Sequence, residues 1–293
     1  MIKSDNKFFS KNSILYIVPT PIGNLSDISQ RAINILSSVD VIATENIYHS
    51  RKLFSYFKIR TRTISFNDHN EKKKSQVLIA RLLKGQSIAL VSDAGTPLIS
   101  DPGYYLVNQA HNTGIKIVPL PGPCAVITAL SASGLPSNQF TFGGFLPEKK
   151  KARKDKLLEI VKVKHTCIFY ESPHRIIESL KSMLDIFGPE RQVVLARELT
   201  KIFETIQSMP LGKLVKWVEK DIYQQRGEIV LLIHGYNMED SNINELPEEV
   251  TRALTILINE LSFKKAISVV SKIYNCKKNV LYKWGLINLI TKY

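Results

Sequence analysis

Between residues 14 and 120 the chain repeats one pattern five times: a short run of β-branched and aliphatic residues, then a longer stretch whose apolar residues recur at helical spacing. The short runs fall at 14–18, 39–43, 62–66, 87–91 and 115–120, the third being the weakest. Amphipathic stretches separate them at 26–36, 49–57, 75–83 and 104–112. Strands that alternate with helices form a mainly parallel sheet covered on both faces. Ligands of such sheets sit beyond the carboxyl ends of the strands, so the loops that follow the short runs are where chemistry is expected.

After Pro121 the rhythm changes. An alanine-rich helix at 124–132 precedes strand candidates at 139–145, 165–170, 192–196 and 228–234, with helices at 150–163, 175–187 and 211–220. The fold class read from this is α/β, bilobal, with a small helical domain at the C-terminus. The expected division is a disordered lead-in at 1–13, a first α/β domain at 14–121, a second at 122–235, a polar linker at 236–249 and helices at 250–293. In that last part Ser262 is placed to cap a helix, and a break at 275–279 leaves a shape that either resembles a helix-turn-helix or simply packs on the body.

Composition narrows the class. Apolar residues make up 44% of 293, enough for one large core or two ordinary ones. Three scattered cysteines give no disulfide framework or thiolate metal site. The start of the chain carries Lys3, Asp5, Lys7 and Lys11 where a signal peptide needs an apolar centre, and no run is long enough to span a membrane. A cytoplasmic enzyme without a membrane partner is expected. The net charge of +14 suits a polyanionic partner, although a lysine-rich genome would raise it too.

Four loops carry the candidate chemistry. Pro19-Thr20-Pro21-Ile22-Gly23-Asn24 follows the first strand; it is not a dinucleotide fingerprint, but its backbone can meet a polar ligand. The stretch from Ser92 to Gly103 packs Asp93, Asp101, two glycines and two prolines into twelve residues, more than a simple connector needs. Pro121-Gly122-Pro123-Cys124 opens the alanine-rich helix, whose small residues let a ligand approach its N-terminus. Glu171, His174 and Arg175 end one strand of the second domain, and Arg197, Glu198 and Lys201 end another; they face a cleft or form a surface ion network. The run Asp68-His69-Asn70-Glu71 lacks a metal-ligand spacing, and neither a nucleophile elbow nor a phosphate-binding P-loop occurs. No metal is expected, and the lysine-rich run at 149–154 reads as a solvated face.

Taken together, LYIVPTPIGNLSDIS, VSDAGTPLISDPG, PLPGP with ITALSASGLP, FTFGGFLP, FYESPHRI, VVLARELTK and RGEIVLLI resemble the family of ribosomal small-subunit RNA cytidine 2′-O-methyltransferases, within the tetrapyrrole methylase superfamily. The similarity covers about residues 14–233, and the C-terminal helices resemble that family's extra domain. The resemblance implies S-adenosylmethionine bound between two α/β lobes, a homodimer, and methylation of a cytidine ribose in the decoding region of 16S rRNA on the small (30S) subunit. By it, Pro21, Gly23 and Asn24 border the cofactor, as do Asp93, Ala94, Gly95, Thr96, Leu98, Ile99, Pro121, Gly122, Cys124, Ala125 and Glu171. The chain departs from the family after the second strand, where Glu45-Asn46-Ile47-Tyr48 replaces an acidic Glu-Asp-Thr-Arg run, and at Gly122-Pro123-Cys124-Ala125, which replaces Gly-Ala-Ser-Ala.

A ribose hydroxyl is a poor nucleophile until its proton leaves. Glu45 or Glu198 is the expected proton acceptor, with Lys201 or Arg197 holding the RNA backbone. Lys264, Lys265, Lys277 and Lys278 are expected as further RNA contacts. Two other readings stay open: a methyltransferase of porphyrin or corrin precursors with the same cleft, and a non-catalytic rRNA-binding assembly factor.

Overall fold

A computed structural model describes residues 13–236 and 246–285. The expected lead-in before residue 13, most of the expected linker and the last eight residues lie outside these. The first lobe contains strands β1 (Ile14–Ile17), β2 (Val41–Thr44), β3 (Thr63–Ser65), β4 (Ile88–Val91) and β5 (Lys116–Pro119), all parallel in the order β3-β2-β4-β1-β5. β2 and β4 are buried at every position because helices cover both faces. β3 and β5, at the edges, are only partly buried.

Helices α1 (Gln30–Ser38) and α2 (Ile47–Tyr56) pack Leu36 and Phe54 against Val18, Ile42 and Val91 on one face. On the other, α3 (Glu71–Leu83) and α4 (Tyr104–Asn112) bring Leu78, Leu82 and Leu106 onto Leu15 and Leu90. Two helix starts differ from expectation for a local reason. The helix expected from residue 26 is split: Asn24 caps a short 3₁₀ turn at Leu25–Asp27, and Ser29 accepts the Ala32 amide at 3.1 Å to start α1 afresh. α3 begins four residues earlier than its apolar periodicity suggests. Its first residue, Glu71, turns outward to accept the amides of Gly103 and Tyr105, both at 2.9 Å, at the start of α4.

The second lobe runs α5 (Ala125–Ala132), β6 (Phe140–Phe145), α6 (Lys150–Ile160), β7 (Thr166–Glu171), α7 (Ile176–Phe187), β8 (Gln192–Arg197), β9 (Thr205–Pro210), α8 (Leu211–Lys220) and β10 (Ile229–Ile233). Its sheet order is β6-β7-β10-β8-β9, with β6 parallel to β7 and the other pairs antiparallel. α6, α7 and α8 cover one face. The other face receives α5 and, from the first lobe, Ile22. β9 was not foreseen: it is an edge strand with Gln207 and Ser208 exposed at its centre, and only its ladder to β8 defines it. The run at 149–154 is not wholly a solvated face either. Arg153 is buried, donating to Ser182 Oγ, the Glu148 carbonyl and Glu178, and so ties α6 to α7.

Helices α9 (Glu248–Glu260), α10 (Phe263–Tyr274) and α11 (Lys278–Gly285) form their own cluster around Leu254, Ile267, Val270 and Leu281. Ser262 holds the N-cap position of α10, but its side chain makes no capping hydrogen bond. Asn275, in the left-handed region at φ 52°, turns the chain between α10 and α11. Among the described residues no helix is long and apolar enough to cross a membrane.

Candidate active site

Three loops of the first lobe are fastened to one another at the carboxyl end of its sheet. Thr20 and Gly95 exchange backbone hydrogen bonds of 2.9 and 3.0 Å, joining the β1 loop to the loop after β4. Thr96 Oγ1 donates to the Pro123 carbonyl at 2.8 Å, joining the β4 loop to the start of α5. Asp93 Oδ1 accepts the Asn46 amide at 3.1 Å, joining it to the loop after β2. The β4 loop is itself strained, for Leu98 (φ 73°) and Ser100 (φ 65°) both lie in the left-handed region. Non-glycine residues held there cost roughly 1–3 kcal/mol each, and such strain gathers at ligand clamps and active sites.

A cleft of about 450 Å³ opens between this end of the first sheet and the second lobe, a size suited to a small-molecule ligand. Ile22, Glu45, Asp93 to Thr96 and Ile99 to Asp101 form its first wall. Cys124, Ala125, Phe145, Tyr170 to Pro173, Leu199 and Gly227 to Val230 form the second. α5 begins in the cleft without a side-chain bond from its N-cap residue Cys124, and in its first turn the Val126 amide reaches the Tyr170 hydroxyl across the cleft. Carboxyl groups crowd the first wall. Burial, and then the charge of Asp93, pushes the Glu45 carboxyl above its usual range. Asp101 goes further, to about 7: burial raises it most, the Ser92 hydroxyl opposes this, and Glu45, Asp93 and Asp68 raise it again. No group of three or more His, Cys, Asp or Glu among the described residues is arranged to hold a metal ion.

The structure brings together Glu45, Asp93, Ala94, Gly95, Thr96, Ile99, Cys124, Ala125 and Glu171 on the cleft walls. It separates others from them. At the first loop Ile22 lines the cleft, while Asn24 caps the 3₁₀ turn and Gly23 lies under the second lobe, where a Cβ would collide with Thr200, Lys201 and the Leu199 carbonyl. Pro21, too, is absent from the lining. Gly122 packs on Pro19, Pro121 lies outside the lining, and Leu98 turns its side chain to the core beside Gly103. Glu171 is in the wall, but its carboxylate is taken up by the Ser172 amide, Arg175 and Ser179.

Arg197, expected to hold the RNA backbone, is engaged within the second lobe. It is buried, and its guanidinium donates to Gln224 Oε1, the Arg226 and Phe203 carbonyls and Thr205 Oγ1, clasping two loops of the second lobe. Glu198 and Lys201 pair with each other at 2.7 Å, outside the cleft lining, and Lys201 also holds Glu228 at 2.9 Å. Burial raises the Glu198 carboxyl, but the Lys201 and Glu228 hydrogen bonds outweigh it and leave the group below its usual range, a poor proton acceptor. The departure after β2 has a structural consequence: Asn46 caps α2 by accepting the amides of Tyr48 and His49. Lys264, Lys265, Lys277 and Lys278 are exposed, in or just before the first turns of α10 and α11. The residues not singled out beforehand, notably Phe145, Tyr170 and Glu228, sit at strand ends with nothing in spacing to mark them; Asp101 lay within a loop already singled out.

Comparison with known proteins decides the family. Residues 14–215 match the Tetrapyrrole (Corrin/Porphyrin) Methylases, and residues 244–289 match the RsmI C-terminal HTH domain. A protein of Vibrio cholerae serotype O1 named ribosomal RNA small subunit methyltransferase I is 63% identical over 287 residues, covering 98% of this chain and 99% of its own. The chain belongs to this methyltransferase family. A relative of the same name from Escherichia coli O157:H7 is 51% identical, over 93% of this chain and 94% of its own. Solved structures of a Thermus thermophilus uroporphyrin-III-C-methyltransferase (TM-score 0.52, 18% identity, 76% of this chain and 94% of that one) and of a diphthine synthase (TM-score 0.58, 15% identity, 76% and 90%) share the bilobal fold. The helix-turn-helix alternative for the C-terminal helices is thereby the one supported.

Proposed function

We propose that this enzyme transfers the methyl group of S-adenosylmethionine to the ribose 2′-hydroxyl of a cytidine in the decoding region of 16S rRNA, acting as a homodimer on the 30S subunit. The observation that carries the reading is the 63% identity, end to end, with a relative named for ribosomal RNA methylation. The tetrapyrrole alternative shares the match over residues 14–215, but the uroporphyrin and precorrin methyltransferases of solved structure that resemble the chain are only 18% and 17% identical to it. We also keep the division of the chain near residues 121 and 235–250 as part of this reading.

The cleft suits the donor on its own chemistry. Ala94, Gly95, Cys124 and Ala125 are small residues that leave room for a nucleoside against backbone at the start of α5. Glu45 and Asp93 present negative charge to a cationic ligand. S-adenosylmethionine, when bound, supplies an electrophilic methyl group on a sulfonium. The protein's contribution is to hold the acceptor oxygen in line and to exclude water, since alignment of reacting groups reaches effective molarities of about 10⁵–10⁸ M in ideal cases. The exposed lysines of α10 and α11 support docking on RNA: cations in a helix's first turn cost about 0.3–1 kcal/mol against the helix dipole, which a phosphate would reverse. RNA is then read through backbone, shape and an unstacked nucleotide.

The decisive experiment is transfer of labelled methyl to 30S subunits from cells lacking this activity, followed by nuclease mapping. A ribose-methylated cytidine in the decoding region is the expected product. Binding of the donor with no transfer would point to another acceptor, and absence of donor binding would leave the assembly-factor reading.

A further inference from the structure

We propose that the cleft wall between the Ser100–Asp101 turn and the Gly144–Phe145 bulge is the acceptor subsite, where Phe145 stacks on an unpaired nucleobase and Asp101 takes the proton of the ribose hydroxyl. This rests on the methyl-transfer reading and assigns residues to its second substrate. The register of β6 on β7 shifts between Phe142 and Phe145. Gly144 adopts φ 68°, and Gly143 leaves no room for a Cβ against the Phe169 ring. The bulge turns Phe145 outward, 54% exposed, onto the cleft. Its ring meets that of Tyr170 edge-on at 5.4 Å, and Tyr170 is braced in turn by Phe142 at 4.9 Å. A half-exposed aromatic ring backed by a second ring that a third holds in place, in a ligand cleft, is a stacking platform of the kind that accepts any base.

Asp101 stands beside this platform. A Cβ on Gly144 would lie 3.6 Å from Ser100 Oγ, so the bulge of one lobe abuts the turn of the other, and Asp101 and Phe145 are the next residues along each. Among the other carboxylates at or near the cleft, Asp93 holds the Asn46 amide, Glu171 holds Arg175 and Ser179, Glu228 and Glu198 hold Lys201, and Glu45 takes the Asp93 amide; Asp101 takes the Ser92 hydroxyl and is the carboxylate set beside the Phe145 bulge. Asp101 faces Asp93 from its own loop, Glu45 and Asp68 from two neighbouring loops, and Tyr170 from the second lobe. Taking up a proton relieves that crowding of negative charge. As the oxygen–methyl bond forms, the methyl–sulfur bond of the sulfonium donor breaks with its electron pair left on sulfur. The donor becomes a neutral thioether, and the hydroxyl proton passes to the Asp101 carboxylate.

The test uses the full chain, with donor affinity measured by equilibrium dialysis without RNA, 30S affinity measured without donor, and single-turnover methylation followed against pH. Phe145→Ala should weaken 30S binding about 5- to 100-fold, leave donor affinity unchanged, and be restored by Phe145→Trp. Should the alanine variant not fold, Phe145→Leu keeps the apolar bulk without the flat ring and should show the same split. Asp101→Asn should retain both affinities, slow the single turnover by about 10²-fold or more, and abolish the rise in rate through neutral pH, which Asp101→Glu should partly recover. Loss of donor affinity in a folded variant would place these residues on the donor side and overturn the assignment, as would an unchanged pH profile in Asp101→Asn. Wild-type protein that binds donor yet leaves 30S subunits unmethylated would overturn the parent reading, and this one with it.

Discussion

At the scale of single residues, what matters is where charge is held. Asp101 is raised from 3.8 to about 7, so between those values the folded chain holds a proton that the unfolded chain has released. Its contribution therefore makes stability fall as pH rises through this window. Asp101→Asn should melt above the wild type at pH 8, with the margin shrinking to nothing near pH 4; a margin independent of pH would show that another group dominates. Arg197 makes the opposite point. Sequence placed it on the RNA, but its four acceptors lie within the second lobe. Arg197→Met leaves buried carbonyls unpaired and should lower unfolding stability in urea by about 1–3 kcal/mol, without weakening 30S binding by the folded fraction. Arginine at a strand end reads as surface in a sequence, because the groups that bury it come from residues 203–205 and 224–226.

At the scale of elements, legibility followed burial. β2 and β4 are apolar along their length because both faces are covered, and such runs stand out in a sequence. β9 does not stand out, because an edge strand with one solvated face needs only its partner's ladder. Local polar side chains moved helix starts, as Ser29 did for α1. The C-terminal helices carry a prediction of their own. Replacing Lys264, Lys265, Lys277 and Lys278 by glutamine should reduce the slope of log affinity for 30S subunits against log salt by about 0.7–0.9 for each lysine on a phosphate, while dialysis finds donor binding unchanged. An unaltered slope would make these lysines bystanders and the helices structural.

At the scale of the molecule, the site exists only because two lobes meet. Ile22 of the first lobe is buried in the second lobe's core, and Gly23 fits under the 199–201 turn with no space for a side chain. Gly23→Val should push that turn away, widen the cleft and weaken the donor, seen as a smaller rise in melting temperature on adding it. For the wild type, donor at about 100 times its Kd should add roughly 2.7 kcal/mol; a variant with the same increment would separate the lobe contact from the site. The alternation that makes two α/β lobes, the loops where chemistry gathers and, through the motifs, the family are legible in the chain alone, because these are local or periodic properties of it. Folding alone shows which loop residues face the cleft, that Arg197 and Arg153 are internal clasps, that Glu198 is bound to Lys201, and that the Ser100–Asp101 turn abuts the Gly144–Phe145 bulge. Those depend on contacts between residues far apart in the chain, and a side chain's partner, unlike its periodicity, is not written beside it.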